Sequence, residues 1–178
     1  VQTVPTGLSK LLHINWALVL LLTAVACMGF LMLYSVAGGS MEPWARPQME
    51  RFGLGLVAMF VVAMVPIWFW RNMALLAYAV AFALLILVEV AGDAAGGAQR
   101  WIDLGFIRLQ PSEMMKITLV MLLAAYYDWL DVDKVSRPLW VALPVAMILA
   151  PTALVVVQPD LGTAILLVVG GAIVMFAA

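Results

Sequence analysis

Long apolar stretches alternate with short polar ones along the whole chain, and their lengths constrain the fold. Trp16 to Val36 runs 21 residues without a charge, and a helix of about 20 residues crosses the hydrocarbon core of a bilayer. Phe52 to Val88 is 37 residues with Arg71 as its only charge. As one helix it would be about 55 Å long, nearly twice the thickness of that core, so it must fold back near Pro66–Asn72. Leu139 to Ala178 is 40 residues with one charge, Asp160. The only place for its reversal is Gln158-Pro159-Asp160-Leu161-Gly162. The pattern predicts spans at 16–36, 52–70, 72–90, 114–130, 139–157 and 161–178. These form a single integral membrane domain, an all-α polytopic membrane helix bundle with six transmembrane helices.

Composition agrees. The chain is 66% hydrophobic and 11% charged, with mean hydropathy +1.11, against roughly 45–50% apolar and about 25% charged in a soluble domain. A net charge of −1 gives no reason to expect nucleic acid as a partner. Cys27 is the only cysteine and lies in an apolar run, so it reads as a small apolar residue without disulfide or metal-site spacing. His13 is the only histidine, which leaves no histidine-based triad or metal cluster. The chain begins at Val1 and ends in the apolar run Phe176-Ala177-Ala178, so both ends read as limits of a fragment. Ala37-Gly38-Gly39 is small enough for signal-peptide cleavage, but a signal core is only about 7–15 residues long, and Trp16–Val36 reads as a retained span. Trp16 and Tyr34, the run Trp68-Phe69-Trp70, and Tyr126, Tyr127 and Trp129 read as interfacial aromatic belts.

The most polar stretch is Gly96 to Lys116, with Arg100, Asp103, Arg108, Glu113 and Lys116. Arg100 to Leu109 suggests a small hairpin or tight turn around Leu104-Gly105. Pro111-Ser112-Glu113 reads as a helix start, with Pro at the first position and Glu in the first turn. Alternation of spans then puts 38–51, 89–113 and 158–162 on one face of the membrane. Four cations on the N-terminal side against five on the other leave the orientation open.

Ionisable groups inside a membrane protein are functional candidates. Glu113 and Lys116, three apart, share a helix face and can pair. Arg108 and Gln110 lie just upstream, and Asp160 comes from another span on the same face. Plainer roles are available to each. Glu113 suits a helix N-terminus, Asp160 a helix cap, Arg100 and Arg108 lipid headgroups, and Trp101 an interface anchor. The functional reading is that Arg100, Arg108 and Lys116 surround an anionic headgroup, with a pyrophosphate-linked lipid as the natural candidate.

GAQRWIDLGFIRLQPSEMMK at 97–116, followed by QPDLGT at 158–163, resembles the SEDS family (shape, elongation, division and sporulation), nearer its RodA branch than its FtsW branch. The resemblance covers the whole chain. It implies about ten membrane helices in the intact protein, with both termini cytoplasmic and 38–51, 89–113 and 158–162 periplasmic in the bacterial inner (cytoplasmic) membrane. It also implies a peptidoglycan glycosyltransferase that polymerises lipid II into glycan strands during cell elongation, working with a class B penicillin-binding protein. The family residues that matter for activity fall on Arg108, Gln110, Glu113, Lys116 and Asp160. Glu113, Lys116 and Asp160 stand as catalytic candidates, and Arg100, Arg108 and Gln110 as substrate-binding ones. No metal ligand is assigned; a divalent cation stays open as a cofactor.

This sequence stops at the sixth helix. The family's catalytic aspartate is expected in a loop after the seventh, so this polypeptide alone is expected to hold part of the site and to be inactive. By resemblance, the acceptor sugar's 4-hydroxyl attacks the anomeric carbon of the lipid-linked donor and undecaprenyl pyrophosphate leaves. Two other functions suit the same residues: a flippase for lipid II, and a non-catalytic scaffold for the penicillin-binding protein.

Overall fold

The computed structural model describes residues 14–91, 93–95, 98–103, 108–131 and 137–178, with residues 12, 133 and 135. Lys10, His13, the Leu104-Gly105 turn and Lys134 lie outside the described residues. Among the described residues, six helices and three short strands follow in the order α1 (Trp16–Val36), α2 (Ala45–Met64), α3 (Ile67–Ala91), β1 (Asp93–Ala95), β2 (Ala98–Asp103), β3 (Arg108–Leu109), α4 (Pro111–Trp129), α5 (Pro138–Val157) and α6 (Leu161–Ala177). Among the described residues, Trp16–Val36, Ile67–Val90 and Pro138–Val157 are long and apolar enough to cross a membrane, and Leu161–Ala177 is a shorter apolar helix. In α2 and α4 the apolar run is broken near its ends by charges such as Arg46 and Glu113. The chain divides into two compact units at Pro66 and Ile67.

The first unit is an antiparallel pair. Asn15 caps α1 by accepting from the Leu18 N–H at 3.1 Å. The helix ends where Gly38 takes φ +67. There the Gly39 N–H reaches the Tyr34 carbonyl at 3.0 Å and the Gly38 N–H reaches that of Ser35 at 3.1 Å. Those paired bonds satisfy carbonyls that a helix end leaves open, and the left-handed position favours glycine. Trp16 meets Phe60 and Phe30 meets Phe52, with ring centroids 5.9 and 5.7 Å apart.

Two boundaries differ from the sequence pattern. Helix α2 starts at Ala45, inside the polar stretch that reads as loop. Arg46 is held between Glu42 and Glu50, four residues away on either side, at 3.4 and 3.1 Å. Glu50 first and then Glu42 raise the guanidinium's pKa above its ordinary value. Pro47 falls in the first turn, where the missing N–H has no helical partner to lose. Helix α2 ends at Met64, not Trp70, because Pro66 pushes the residue before it out of helical geometry. Val65 is extended at φ −69, ψ 134, and Trp68, Phe69 and Trp70 open α3.

The second unit packs α3, α5 and α6 around α4. Its core joins Ala81 and Leu85 of α3, Met115, Leu119 and Leu123 of α4, Ile148 and Val155 of α5, and Ala164 and Leu167 of α6. Pro144, Ile148, Pro151 and Val155 form one buried stripe on α5. A proline inside a helix leaves the carbonyl four residues earlier without its donor. Both freed carbonyls are taken from neighbouring helices: the Tyr126 hydroxyl donates to Trp140 O at 2.9 Å and the Tyr78 hydroxyl to Met147 O at 2.8 Å. Tyr126 is therefore a buried inter-helix partner and not the interfacial belt residue its position suggests.

Strands β1, β2 and β3 form an antiparallel sheet in that order. Ile102 pairs with Leu109 and Asp103 with Arg108, the antiparallel pairing expected on either side of residue 105; the sequence pattern does not predict β1. Strand β2 lies against α3 and α4, at the end of the bundle where α4 and α6 begin.

Candidate functional site

The polar end of the second unit is built from helix starts. Gln110 is extended at φ −106, ψ 107, and Pro111 takes the first helical position, which needs no N–H donor. Pro111 and Ser112 are buried, so the start of α4 is fixed. Glu113 lies in the first turn, where a carboxylate meets the positive end of the helix dipole. One turn on, Lys116 Nζ donates to Glu113 Oε1 at 2.7 Å, with side-chain exposures of 26% for Lys116 and 56% for Glu113. A pair at this spacing contributes only about 0.2–0.5 kcal/mol. Its effect is to aim the ammonium.

Helix α6 starts at the same end. Asp160 Oδ1 accepts from the Thr163 N–H at 3.2 Å, and Oδ2 accepts from the Thr163 hydroxyl at 2.8 Å. Gln110 Nε2 adds a longer bond to Asp160 Oδ2 at 3.4 Å. Gln110 thus ties the first residue of one helix start to the cap of another, 50 residues away in sequence. Behind it, the buried Gln158 amide donates to the Leu85 carbonyl at 3.2 Å. That bond locks the α5–α6 turn onto α3.

The structure therefore assembles Gln110 with Asp160 and Glu113 with Lys116 at one end of the bundle. Among the described residues no hydrogen bond joins one pair to the other. Arg108 is exposed on β3, two residues before Gln110. Arg100 lies on β2, and its side chain is outside the described residues. Trp101 is half-buried. Among the described residues, no three His, Cys, Asp or Glu side chains come together as a metal site. Thr163 holds Asp160 and Gln158 anchors the adjoining turn to α3, and the sequence pattern does not mark either as a site residue. The signal available was a polar residue on each side of Pro159-Asp160 within an otherwise apolar run.

The sequence model of the cell cycle protein family FtsW/RodA/SpoVE matches residues 13–178. The chain belongs to this family. It is 34% identical over 164 residues to the peptidoglycan glycosyltransferase MrdB of Escherichia coli K12, covering 92% of this chain and 44% of that protein. It is 29% identical over 167 residues to the stage V sporulation protein E of Bacillus subtilis, covering 89% of this chain and 45% of that one. Among solved structures, the rod shape determining protein RodA of Thermus thermophilus superposes with TM-score 0.80 at 31% identity, covering 92% of this chain and 53% of that one. A chain from a structure of a peptidoglycan synthase complex that coordinates polymerization and crosslinking gives TM-score 0.80 at 32% identity, covering 92% and 47%. The chain spans about half the length of the relatives it matches. With its apolar helices, this makes it a multi-pass bacterial membrane protein.

The site offers cations at graded depth. Arg108 is open to solvent, while Lys116 is largely covered and oriented by Glu113. Arg suits two phosphate oxygens at once, and Lys acts as a point charge. Asp160 has both oxygens engaged by donors.

Proposed function

We propose that this chain supplies the diphosphate-binding part of a peptidoglycan glycosyltransferase of the bacterial inner membrane, which polymerises lipid II on the periplasmic face. The observation that carries the reading is the meeting of the α4 and α6 starts through Gln110 and Asp160, with Lys116 and Arg108 on the α4 side of that junction. The names of the relatives, peptidoglycan glycosyltransferases among them, support the reaction class. In this reading 38–51, 89–113 and 158–162 face the periplasm.

In the reaction the acceptor 4-hydroxyl oxygen forms a bond to the donor's anomeric carbon. The bond from that carbon to the pyrophosphate oxygen breaks, and undecaprenyl pyrophosphate leaves with the electron pair. Negative charge grows on the leaving oxygen, and preorganised cations lower the barrier there. Arg108, Lys116 and Arg100 serve that charge. Glu113 orients Lys116, while Asp160 orients Gln110 and holds the α6 start. The acceptor proton passes to a carboxylate base, by resemblance one beyond the sixth helix. A class B penicillin-binding protein is the proposed partner, in keeping with the synthase complex among the structural relatives.

The test is polymer formation from purified lipid II in detergent by the full-length protein with its partner. Detergent removes any need for flipping. Glycan strands that shorten or vanish when Lys116 and Arg108 are neutralised support the enzyme. Transport across vesicles without polymerisation in detergent would support a flippase. Partner binding without either activity would support a scaffold.

A further inference from the structure

The opposite end of the second unit carries a groove that the proposed reaction does not use. Along α4, Val120, Met121, Ala124 and Ala125 lie on one side of the helix, and Ala124 and Ala125 leave a shallow floor. Trp68 and Trp70 of α3 wall it, enclosing about 490 Å³. That is within the roughly 300–1,000 Å³ of a small-molecule site. The lining is apolar except at the mouth, where Arg71 and Asp128 pair at 2.8 Å, 56% and 58% exposed. Glu113 and Asp128 are 15 residues apart on α4, so this mouth lies about 22 Å along the helix from the first turn of α4. That is most of a hydrocarbon core away. Tryptophans beside a charged pair on a membrane helix mark headgroup depth.

We propose that this groove binds one phospholipid with a phosphoethanolamine headgroup. Its acyl chain lies on Ala124 and Ala125, its phosphate meets Arg71, and its ammonium meets Asp128. Charge complementarity selects this occupant. A headgroup that is only anionic gains Arg71 but is repelled by Asp128. A choline headgroup has the right charges, but its quaternary nitrogen has no N–H to donate. A primary ammonium donates to the carboxylate while the phosphate accepts from the guanidinium, which can offer two N–H groups. This inference does not depend on the reaction proposed for the other end.

The experiment is native mass spectrometry of the full-length protein in detergent, offered equal amounts of phosphatidylethanolamine, phosphatidylcholine and phosphatidylglycerol with matched acyl chains. Phosphatidylethanolamine is expected to be retained over both others. Arg71→Gln and Asp128→Asn, both at exposed positions, are each expected to cut its retention about tenfold, as loss of one charge-assisted hydrogen bond requires. Ala124→Trp fills the groove and is expected to lower retention of all three lipids. Equal retention of the three headgroups, preference for phosphatidylglycerol, or retention unmoved by all three substitutions would overturn the proposal. Destabilisation by Ala124→Trp with no headgroup preference would also overturn it, and would point to a helix as the occupant.

Discussion

The Tyr78 hydroxyl donates to the Met147 carbonyl at 2.8 Å, the carbonyl that Pro151 deprives of its helical donor. A polar backbone group within a membrane has no water to turn to, so it is satisfied by protein. Tyr78→Phe is expected to lower thermal stability in detergent by roughly 0.6–2 kcal/mol, the range for hydrogen bonds between membrane helices. Pro151→Ala restores the N–H to Met147, so Tyr78→Phe in that background is expected to cost clearly less. Equal costs in the two backgrounds would refute the link.

Asp160 has two separable roles, capping α6 and carrying charge beside Gln110. Asn caps a helix about as well as Asp. Asp160→Asn is therefore expected to keep the melting temperature while lowering kcat of polymerisation about tenfold, because its single acceptor oxygen stays on the Thr163 N–H and its NH2, which cannot accept, replaces the carboxylate oxygen that Gln110 Nε2 reaches, so the charge-assisted bond is lost. Asp160→Ala is expected to lose the cap as well, at about 0.5–2 kcal/mol. An Asn variant with the parent's kcat would reduce Asp160 to a cap.

Helix α6 approaches α5 closely at Gly171, where an added Cβ would lie 2.5 Å from Cγ1 of Ile148. Gly171→Ala is expected to cost about 1–3 kcal/mol, the usual penalty for overpacking. With Ile148→Ala in place, the same change is expected to be neutral or stabilising. A cost that persists in that background would mean Gly171 is needed for another reason.

Much of the fold was legible because apolar run lengths can be compared with a bilayer. A 37-residue run had to turn, and it does so at Val65-Pro66. The last 40 residues had to turn at Gln158–Gly162, and α5 stops at Val157. Residue type also fixed the start of α4, since Pro111 and Glu113 suit first-turn positions. What was not legible depends on tertiary partners. Glu42, Arg46 and Glu50 look like loop residues until helical spacing pairs them. Tyr126 looks like an interfacial aromatic until Pro144 supplies a bare carbonyl on the next helix. Within the site, the Glu113–Lys116 pair follows from spacing alone, whereas the Gln110–Asp160 link joins residues 50 apart, and no local pattern gives that.

In the proposed reaction Lys116 is the cation aimed at the leaving diphosphate, and the polymerisation rate of a Lys116 variant tests this most directly. The measurement is the initial rate of glycan synthesis from lipid II in detergent by the full-length protein and its partner, comparing Lys116→Ala with the parent at matched thermal stability. A fall of about a hundredfold is expected, the size of losing one preorganised charge-stabilising group, with part of the rate restored by Lys116→Arg. A Lys116→Ala protein that polymerises at the parent rate would contradict the account.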